Sequence, residues 1–332
     1  MPVQTGLVNN FSAAVAWPTP LTVVLANDCG SLINSGQLVA TFSNGDPPLP
    51  LALADPSKGL YSGTWTPRKS VAQMTVIAHA SAPGYPEATA QVVGAATPNS
   101  APVLTPHGTL HSFDPLVGAA LAPGTIIQIY GQNLASQTSQ PTTIPLPTTM
   151  NGTSVIVGGI AAPLYYVSAG QINAQLPFEL TSGNQYQVLI SANGALTTPD
   201  TVQLSAATPG LAAFADSTLI AQHGDGTLVS AAAPAKPGEY LVAYLAGMGG
   251  TNATPASGAA SPVSPLAAPS LPPVLTLNGA VYPIAFAGLT PGLVGLYQMN
   301  FQVPAGLPAG NLTLVVNQNG ALSNQTVLPY AP

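Results

Sequence analysis

The sequence predicts an all-β chain of three tandem immunoglobulin-like β-sandwich domains. Three observations predict it. Apolar residues alternate with a period of two rather than 3.6, turn-forming Gly and Pro (33 and 36 of 332 residues) punctuate the whole length, and a group of short motifs occurs twice. With 46% hydrophobic residues the chain can bury cores, so Gly and Pro read as turns rather than as a disordered tract. No window offers a capped helix of ten residues, and Ala-rich pieces such as Leu211 to Ala215 are too short to nucleate one.

Residues 1–98 form the first expected sandwich. Leu21, Val23 and Leu25 alternate with Thr22, Val24 and Ala26. Further runs follow at Gln37 to Phe42, Leu60 to Pro67, Val71 to Ala80 and Ala88 to Val93, set among turn-forming Asn, Asp, Gly, Ser and Pro. About seven strands in a hundred residues suit an immunoglobulin-like sandwich. Trp65 is the expected core anchor, in preference to an exposed ring that stacks on a sugar. Residues 94–104, small, polar and bearing Pro98 and Pro102, read as a stiff linker.

Two homologous domains are expected next, at 105–207 and 208–332. Pro123-Gly124 precedes Tyr130 as Pro237-Gly238 precedes Tyr244. Asn151-Gly152 lies twenty residues ahead of Gln171-Ile172-Asn173-Ala174-Gln175-Leu176-Pro177, and Asn278-Gly279 lies twenty ahead of Gln298-Met299-Asn300-Phe301-Gln302-Val303-Pro304. Asn193-Gly194-Ala195-Leu196 returns as Asn319-Gly320-Ala321-Leu322. Strand-like runs at Thr125 to Tyr130, Ser154 to Val157, Tyr186 to Ser191 and Leu312 to Asn317 accompany two long Pro-rich loops, Gln137 to Thr149 and Thr251 to Pro273. In Gln-x-Asn-x-Gln-x-Pro, alternation puts Gln171, Asn173 and Gln175, or Gln298, Asn300 and Gln302, on one strand face. Such a row offers donors and acceptors to sugar hydroxyls, or else satisfies backbone groups of a neighbouring loop or domain. The structural role is preferred, because the motif recurs beside loops that differ.

These segments, together with Ala162-Pro163-Leu164-Tyr165-Tyr166-Val167 and Gly131-Gln132-Asn133-Leu134, resemble the Solibacter-type C-terminal domain, an uncharacterised module of secreted bacterial proteins. The stretch from Pro123-Gly124 to Leu134 also resembles the IPT/TIG branch of immunoglobulin-like folds. The resemblance covers roughly 105–332, and residues 1–98 separately resemble bacterial immunoglobulin-like repeats. It implies export, a β-sandwich architecture and a place at the end of a larger surface or secreted polypeptide, and it brings no catalytic residues. The second copy departs from the pattern, with Gly247-Met248-Gly249-Gly250 where the first has Gly131-Gln132-Asn133-Leu134.

Charge narrows the functions. Ten acids against Lys58, Arg68, Lys69 and Lys236 give a net −6, which leaves no basic surface for phosphates and excludes nucleic-acid binding. No stretch approaches the ~20 continuous apolar residues of a membrane span, and the residues after Met1 lack the basic n-region of a signal peptide, so no membrane insertion and no signal peptide are expected in this chain. Cys29 permits no internal disulfide and no cysteine-based zinc site, and is expected to be a small buried residue. His107 and His111, with Asp114, are the one metal-binding loop worth weighing, although Pro106 and Gly108 disfavour a helical metal face. His223-Gly224-Asp225-Gly226-Thr227 reads as an Asp-Gly hairpin turn rather than a calcium loop. Glu87, Glu179 and Glu239 pair in sequence with no second acid, and no nucleophile elbow, Walker A loop, HExxH helix or dinucleotide fingerprint is present. Neither an enzyme activity nor a cofactor or metal is expected.

The expectation is a non-catalytic extracellular structural or adhesive protein, secreted or at the cell surface, serving as a stalk or as a self-associating subunit of a filament or sheath. Its partners would be copies of itself, other cell-surface proteins or neutral polysaccharide, which a surface poor in charge does not repel. Val3 to Val8 or Thr326 to Tyr330 would complete a neighbour's sheet by strand addition. The alternative is a carbohydrate-binding accessory module of a larger secreted enzyme, with Tyr165, Tyr166, Trp17 and Tyr85 as exposed stacking rings. A third reading is a hydrolase whose acids meet only in three dimensions.

Overall fold

The computed structural model describes residues 1–332 as two compact units, Met1–Ser100 and Ala101–Pro332. The chain is all-β and immunoglobulin-like, with one short 3-10 turn at Pro56–Lys58.

The first unit holds β1 (Pro2–Gln4), β2 (Phe11–Ala14), β3 (Thr19–Leu25), β4 (Gln37–Phe42), β5 (Leu49–Asp55), β6 (Leu60–Trp65), β7 (Val71–Ser81) and β8 (Ala88–Thr97). They pair in the order β1-β3-β6-β5-β4-β7-β8-β2. The ribbon changes layer at β5, whose first half pairs with β4 and whose second half pairs with β6. Alternation does the rest: Leu21, Val23 and Leu25, Leu38, Ala40 and Phe42, and Met74, Val76, Ala78 and Ala80 all turn into one core. Trp65 anchors it, stacked on Phe42 at 4.8 Å and met edge-on by Phe11 at 6.3 Å. Its indole Nε1 donates to Asp46 Oδ2 at 2.9 Å, and Asp46 also accepts from Arg68 N. Removing this carboxylate strands a buried indole donor, so Asp46→Ala should cost the first unit about 2 kcal/mol. Urea unfolding followed by tryptophan fluorescence measures it, and an unchanged midpoint would contradict it.

Two expectations are corrected here. Residues 94–104 are not all linker, because Gly94–Thr97 continue β8 and pair in parallel with Phe11–Ala14, while β9 (Val103–His111) already begins at Val103. Cys29 is exposed, not buried. It sits in a turn in which Asn27 Oδ1 accepts from the backbone N–H of Cys29 and Ser31, and such side-chain-closed turns lie at the surface.

The second unit continues with β10 (Ile126–Gln132), β11 (Thr153–Val157), β12 (Ile160–Ala162), β13 (Leu164–Val167), β14 (Gln171–Gln175), β15 (Gln185–Ala192), β16 (Ala195–Leu196) and β17 (Asp200–Gln203). Next come β18 (Gly210–Leu211), β19 (Ala221–Gln222), β20 (Tyr240–Ala246), β21 (Pro273–Leu277), β22 (Ala280–Tyr282), β23 (Ile284–Leu289), β24 (Tyr297–Gln302), β25 (Gly310–Gln318), β26 (Ala321–Leu322) and β27 (Thr326–Tyr330). Sheets β13-β14-β10-β9 and β12-β11-β15-β16, with β17 on β15, enclose one core; sheets β18-β20-β24-β23, with β19 on β20, and β22-β21-β25-β26, with β27 on β25, enclose another.

The two sandwiches share their register in detail. Tyr130 opposes Gln171 and Ile127 opposes Ala174, as Tyr244 opposes Gln298 and Leu241 opposes Phe301. Each has a bulge at the same place, between Leu164 and Tyr166 in one and between Ile284 and Phe286 in the other. The Asn193-Gly194 and Asn319-Gly320 turns, with both φ positive, close equivalent hairpins.

One motif correspondence is corrected. Asn278-Gly279 joins β21 to β22, the place that Gly158-Gly159 holds between β11 and β12, whereas Asn151-Gly152 closes a separate turn before β11. All three dipeptides have two positive φ values, so the same turn chemistry recurs at places that are not equivalent.

Candidate functional site

The outer face of β10 and β14 carries the amide motif. Burial alternates along β14, so Ile172 and Ala174 enter the core and the amides face outward. Gln171 Nε2 donates to Asn173 Oδ1 at 2.7 Å, and on the second sandwich Gln298 Nε2 donates to Asn300 Oδ1 at 3.3 Å. A tyrosine lies beside each pair: Tyr130 opposes Gln171 and donates to Gln128 Oε1 at 2.8 Å, and Tyr244 opposes Gln298 and donates to Gln222 Oε1 at the same distance. Gln128 is on the tyrosine's own strand, whereas Gln222 is on β19 opposite Val242. The two sandwiches thus reach one geometry from different strands. Each bond closes a gap of two residues along the sheet, roughly 7 Å, and so ties the ring to the amide beside it. On the far edge a second ring, Tyr166 or Phe286, opposes Asn173 or Asn300.

Gln175 and Tyr165 have a different fate. They enter the junction between the two sandwiches of the second unit. Gln175, 1% exposed, accepts the Gly258 N–H at 2.7 Å through Oε1, and the Gly258 carbonyl accepts from Leu146 N at 2.8 Å. The Tyr165 hydroxyl donates to the Val294 carbonyl, and burial pushes its pKa up. Phe178 packs against the second sandwich's core while its N–H donates to Ser257 Oγ at 2.8 Å. Glu179 takes the Ser257 hydroxyl at 2.6 Å; burial raises its pKa, but the Ser257 bonds outweigh that and hold the carboxyl below its usual range.

Both clamping loops are insertions. Between equivalent residues the numbering offset is 114 at Tyr130 and Tyr244, 120 at Tyr166 and Phe286, and 127 at Gln171 and Gln298. The second sandwich is therefore longer before β21, where Ser257 and Gly258 lie, and between β23 and β24, where Val294 lies. The insertions brace each other through Ser261 N to the Leu293 carbonyl and Gly292 N to the Ser261 carbonyl. Gln302, the counterpart of Gln175, is exposed and donates to the Gly238 carbonyl at 2.8 Å.

Of the expected stacking rings, Tyr165 is committed to the junction, Trp17 and Tyr166 are half-buried, and Tyr85 is exposed in the first unit. They form no single platform. Tyr130 and Tyr244, which sequence reasoning passed over as markers of the repeat, occupy the strips instead.

The titratable groups are dispersed. His107 and His111 lie on β9 rather than in a loop, and His111 Nδ1 accepts from both Phe113 N and Asp114 N at 3.0 Å, so the weighed metal loop with Asp114 is not formed. No three His, Cys, Asp or Glu side chains converge anywhere in the chain. Glu239 bonds His223 Nδ1 at 2.9 Å and accepts from Lys236 N, and its hydrogen bond raises the pKa of His223. The Asp-Gly turn forms as expected, with Asp225 Oδ1 accepting from Thr227 N and Oγ1.

β27, one expected donor strand, is bonded on both edges. β25 pairs along one side, and Leu219, Val327, Ala235 and Ala331 N–H groups bridge the other. It has no free edge to offer a neighbour. Val3 to Val8 is not one strand either, since β1 ends at Gln4 and pairs with β3.

No curated protein matches the chain. Solved structures similar to it include the Bacteroides ovatus mixed-linkage glucan utilization locus protein SGBP-B in complex with a mixed-linkage heptasaccharide, at 11% identity and TM-score 0.36, over 100% of this chain and 70% of that one. Others are invasin, a bacterial integrin-binding protein, at 11% and 0.25 over 100% and 60%, and the Escherichia coli adhesin FdeC, at 13% and 0.20 over 99% and 99%. Likeness at this level carries no inference about ligand or role. No helix is long and apolar enough to cross a membrane. Residues 109–206 match the IPT/TIG domain family, so an IPT/TIG immunoglobulin-like domain occupies the first sandwich of the second unit.

Proposed function

We propose that the chain is a non-catalytic extracellular adhesive protein, secreted or held at the cell surface, whose second unit is a pair of tandem copies of one IPT/TIG-like module of the Solibacter type. The shared register and bulge support the tandem copies. The observation that carries the role is that the reactive-looking groups serve structure. Glu179 holds Ser257, Glu239 holds His223 and a backbone N–H, and Gln175 and Phe178 lock one sandwich onto the next. A locked pair transmits force and fixes the spacing of whatever its faces bind, which suits a stalk or adhesin. β27, already paired on both edges, has no edge to exchange between copies, so the filament or sheath version would be built through other surfaces.

The test is surface immunolabelling of intact producing cells, with adhesion compared between the wild type and a deletion strain. Labelling of intact cells and lost adhesion on deletion are expected; labelling only after permeabilisation would overturn the reading. Light scattering at high concentration separates its versions, since a strictly monomeric species removes the filament or sheath. A second reading, a glycan-binding accessory module, is favoured by one specific observation, the two amide and tyrosine strips.

A further inference from the structure

We propose that the two strips are contact sites for one class of ligand, a neutral polysaccharide chain, one strip per sandwich of the second unit. The inference rests on the adhesive reading above and names the partner for it.

Four features of the strips select that ligand. None of the positions on either strip, Tyr130, Gln171, Asn173 and Tyr166 or Tyr244, Gln298, Asn300 and Phe286, carries a charge, so an ionic ligand finds no counter-charge there. In each amide pair one bond is made internally, and the Asn Nδ2 and Gln Oε1 atoms keep donors and acceptors directed to solvent, the complement of vicinal hydroxyls that both give and take hydrogen bonds. Tyr130 and Tyr244 are half-buried, so part of each ring stays open to the C–H face of a pyranose. The second aromatic residue is placed two strands across and two residues along, roughly 12 Å from backbone to backbone by strand geometry, a span that a short oligosaccharide bridges.

The repetition argues against mere coverage of a sheet. A sheet exterior tolerates many polar residues, yet both sandwiches hold the tyrosine hydroxyl at 2.8 Å from a glutamine Oε1 even though that glutamine comes from different strands. The second strip continues past the point where the first is covered by the junction. Tyr240, 56% exposed, opposes the exposed Gln302 there. A polymer long enough to reach both strips is held at two points, so each strip can be weak and the pair still hold it.

The experiment is affinity electrophoresis of the full chain through gels containing hydroxyethylcellulose, mixed-linkage β-glucan, galactomannan or arabinoxylan, with and without 0.5 M NaCl. Retardation by at least one polymer, unchanged by salt, is expected. Tyr130→Ala or Tyr244→Ala alone leaves one strip and should weaken it by on the order of a hundredfold as avidity is lost, and the double variant should abolish it. Asn173→Asp and Asn300→Asp, which keep the side-chain shape but replace the Nδ2 donor with a charged acceptor, should weaken it as well and serve as controls against misfolding; Leu196→Ser, at an exposed position off the strips, should not. Retardation by none of the four polymers, or retardation indifferent to both the Tyr and the Asn pairs while melting is unchanged, overturns the assignment and leaves the adhesive reading to its own surface-labelling test. Release of reducing ends from the polymer would instead overturn the non-catalytic reading.

Discussion

Removing the Phe178 ring is expected to split the melting of the second unit into two transitions. The ring belongs by sequence to the first sandwich of that unit but packs against the core of the next. It is half-buried, so Phe178→Ala falls at the low end of the range for aromatic truncation, about 3 kcal/mol, divided between its seat on Gly124 in its own sandwich and the coupling to the next. Gly124 tests the same contact from the other side. Its φ is +81°, and a Cβ placed there would lie 2.0 Å from Phe178 Cε1. Gly124→Ala therefore combines about 1–2 kcal/mol of left-handed backbone strain with about 1–3 kcal/mol of overlap. In the double variant the overlap disappears and the strain remains, so the two changes should be clearly less than additive. Scanning calorimetry of the full chain reads both effects, with the first unit as an internal reference. An unsplit transition in Phe178→Ala, or strict additivity in the double variant, would mean that the sandwiches are coupled elsewhere.

Nothing local in the sequence announced that contact. Gln37 to Phe42 was legible as a strand to the residue, because a period of two bounded by a turn needs no distant partner. By contrast β5 was invisible: Pro47 and Pro48 precede it and Pro50 lies within it, and it pairs by halves with β4 and β6 as it changes layer. Gly94 to Thr97 looked like linker because its partner, Phe11–Ala14, lies far away in sequence and joins it in parallel. The amide row was legible as a row. Its division into a solvent-facing pair and a buried Gln175 was not, since Gln175 is covered by a loop whose length matters more than its composition. The available signal was the lengthening of the second copy at two places, together with an aromatic, Phe178, just past the motif proline where the other copy has Ala305.

Acidification from pH 6.5 toward 4 should weaken the second unit through a single residue. His111 is buried where β9 ends, with Nδ1 taken by two backbone N–H groups and its ring so close to Gly210 and Gly247 that a Cβ on either would fall 2.3 or 2.6 Å from it. Burial pushes its pKa down to about 4 from 6.5, against the opposing pull of the Ala246 carbonyl. Below pH 6.5 the unfolded chain takes up a proton that the folded chain refuses, so stability is full above 6.5 and is lost as pH falls toward 4, by about 3 kcal/mol at the low end. The other shifted groups act at the acid end of that window, outside it or against it: Glu179, Asp216 and Asp225, lowered by their hydrogen bonds, lose their contribution only as pH falls through the carboxylate range. His223, with its pKa raised by Glu239, loses its contribution above pH 6.5, and Asp114, raised by burial, favours the fold as pH falls near the carboxylate range. His111→Asn keeps an acceptor for Phe113 N and Asp114 N and has no proton to gain, so it should lower stability at pH 7 but flatten the slope between 6.5 and 4.5. Denaturant unfolding at half-unit pH steps measures the slope; an identical slope in wild type and His111→Asn would place the acid sensitivity on the carboxylates instead.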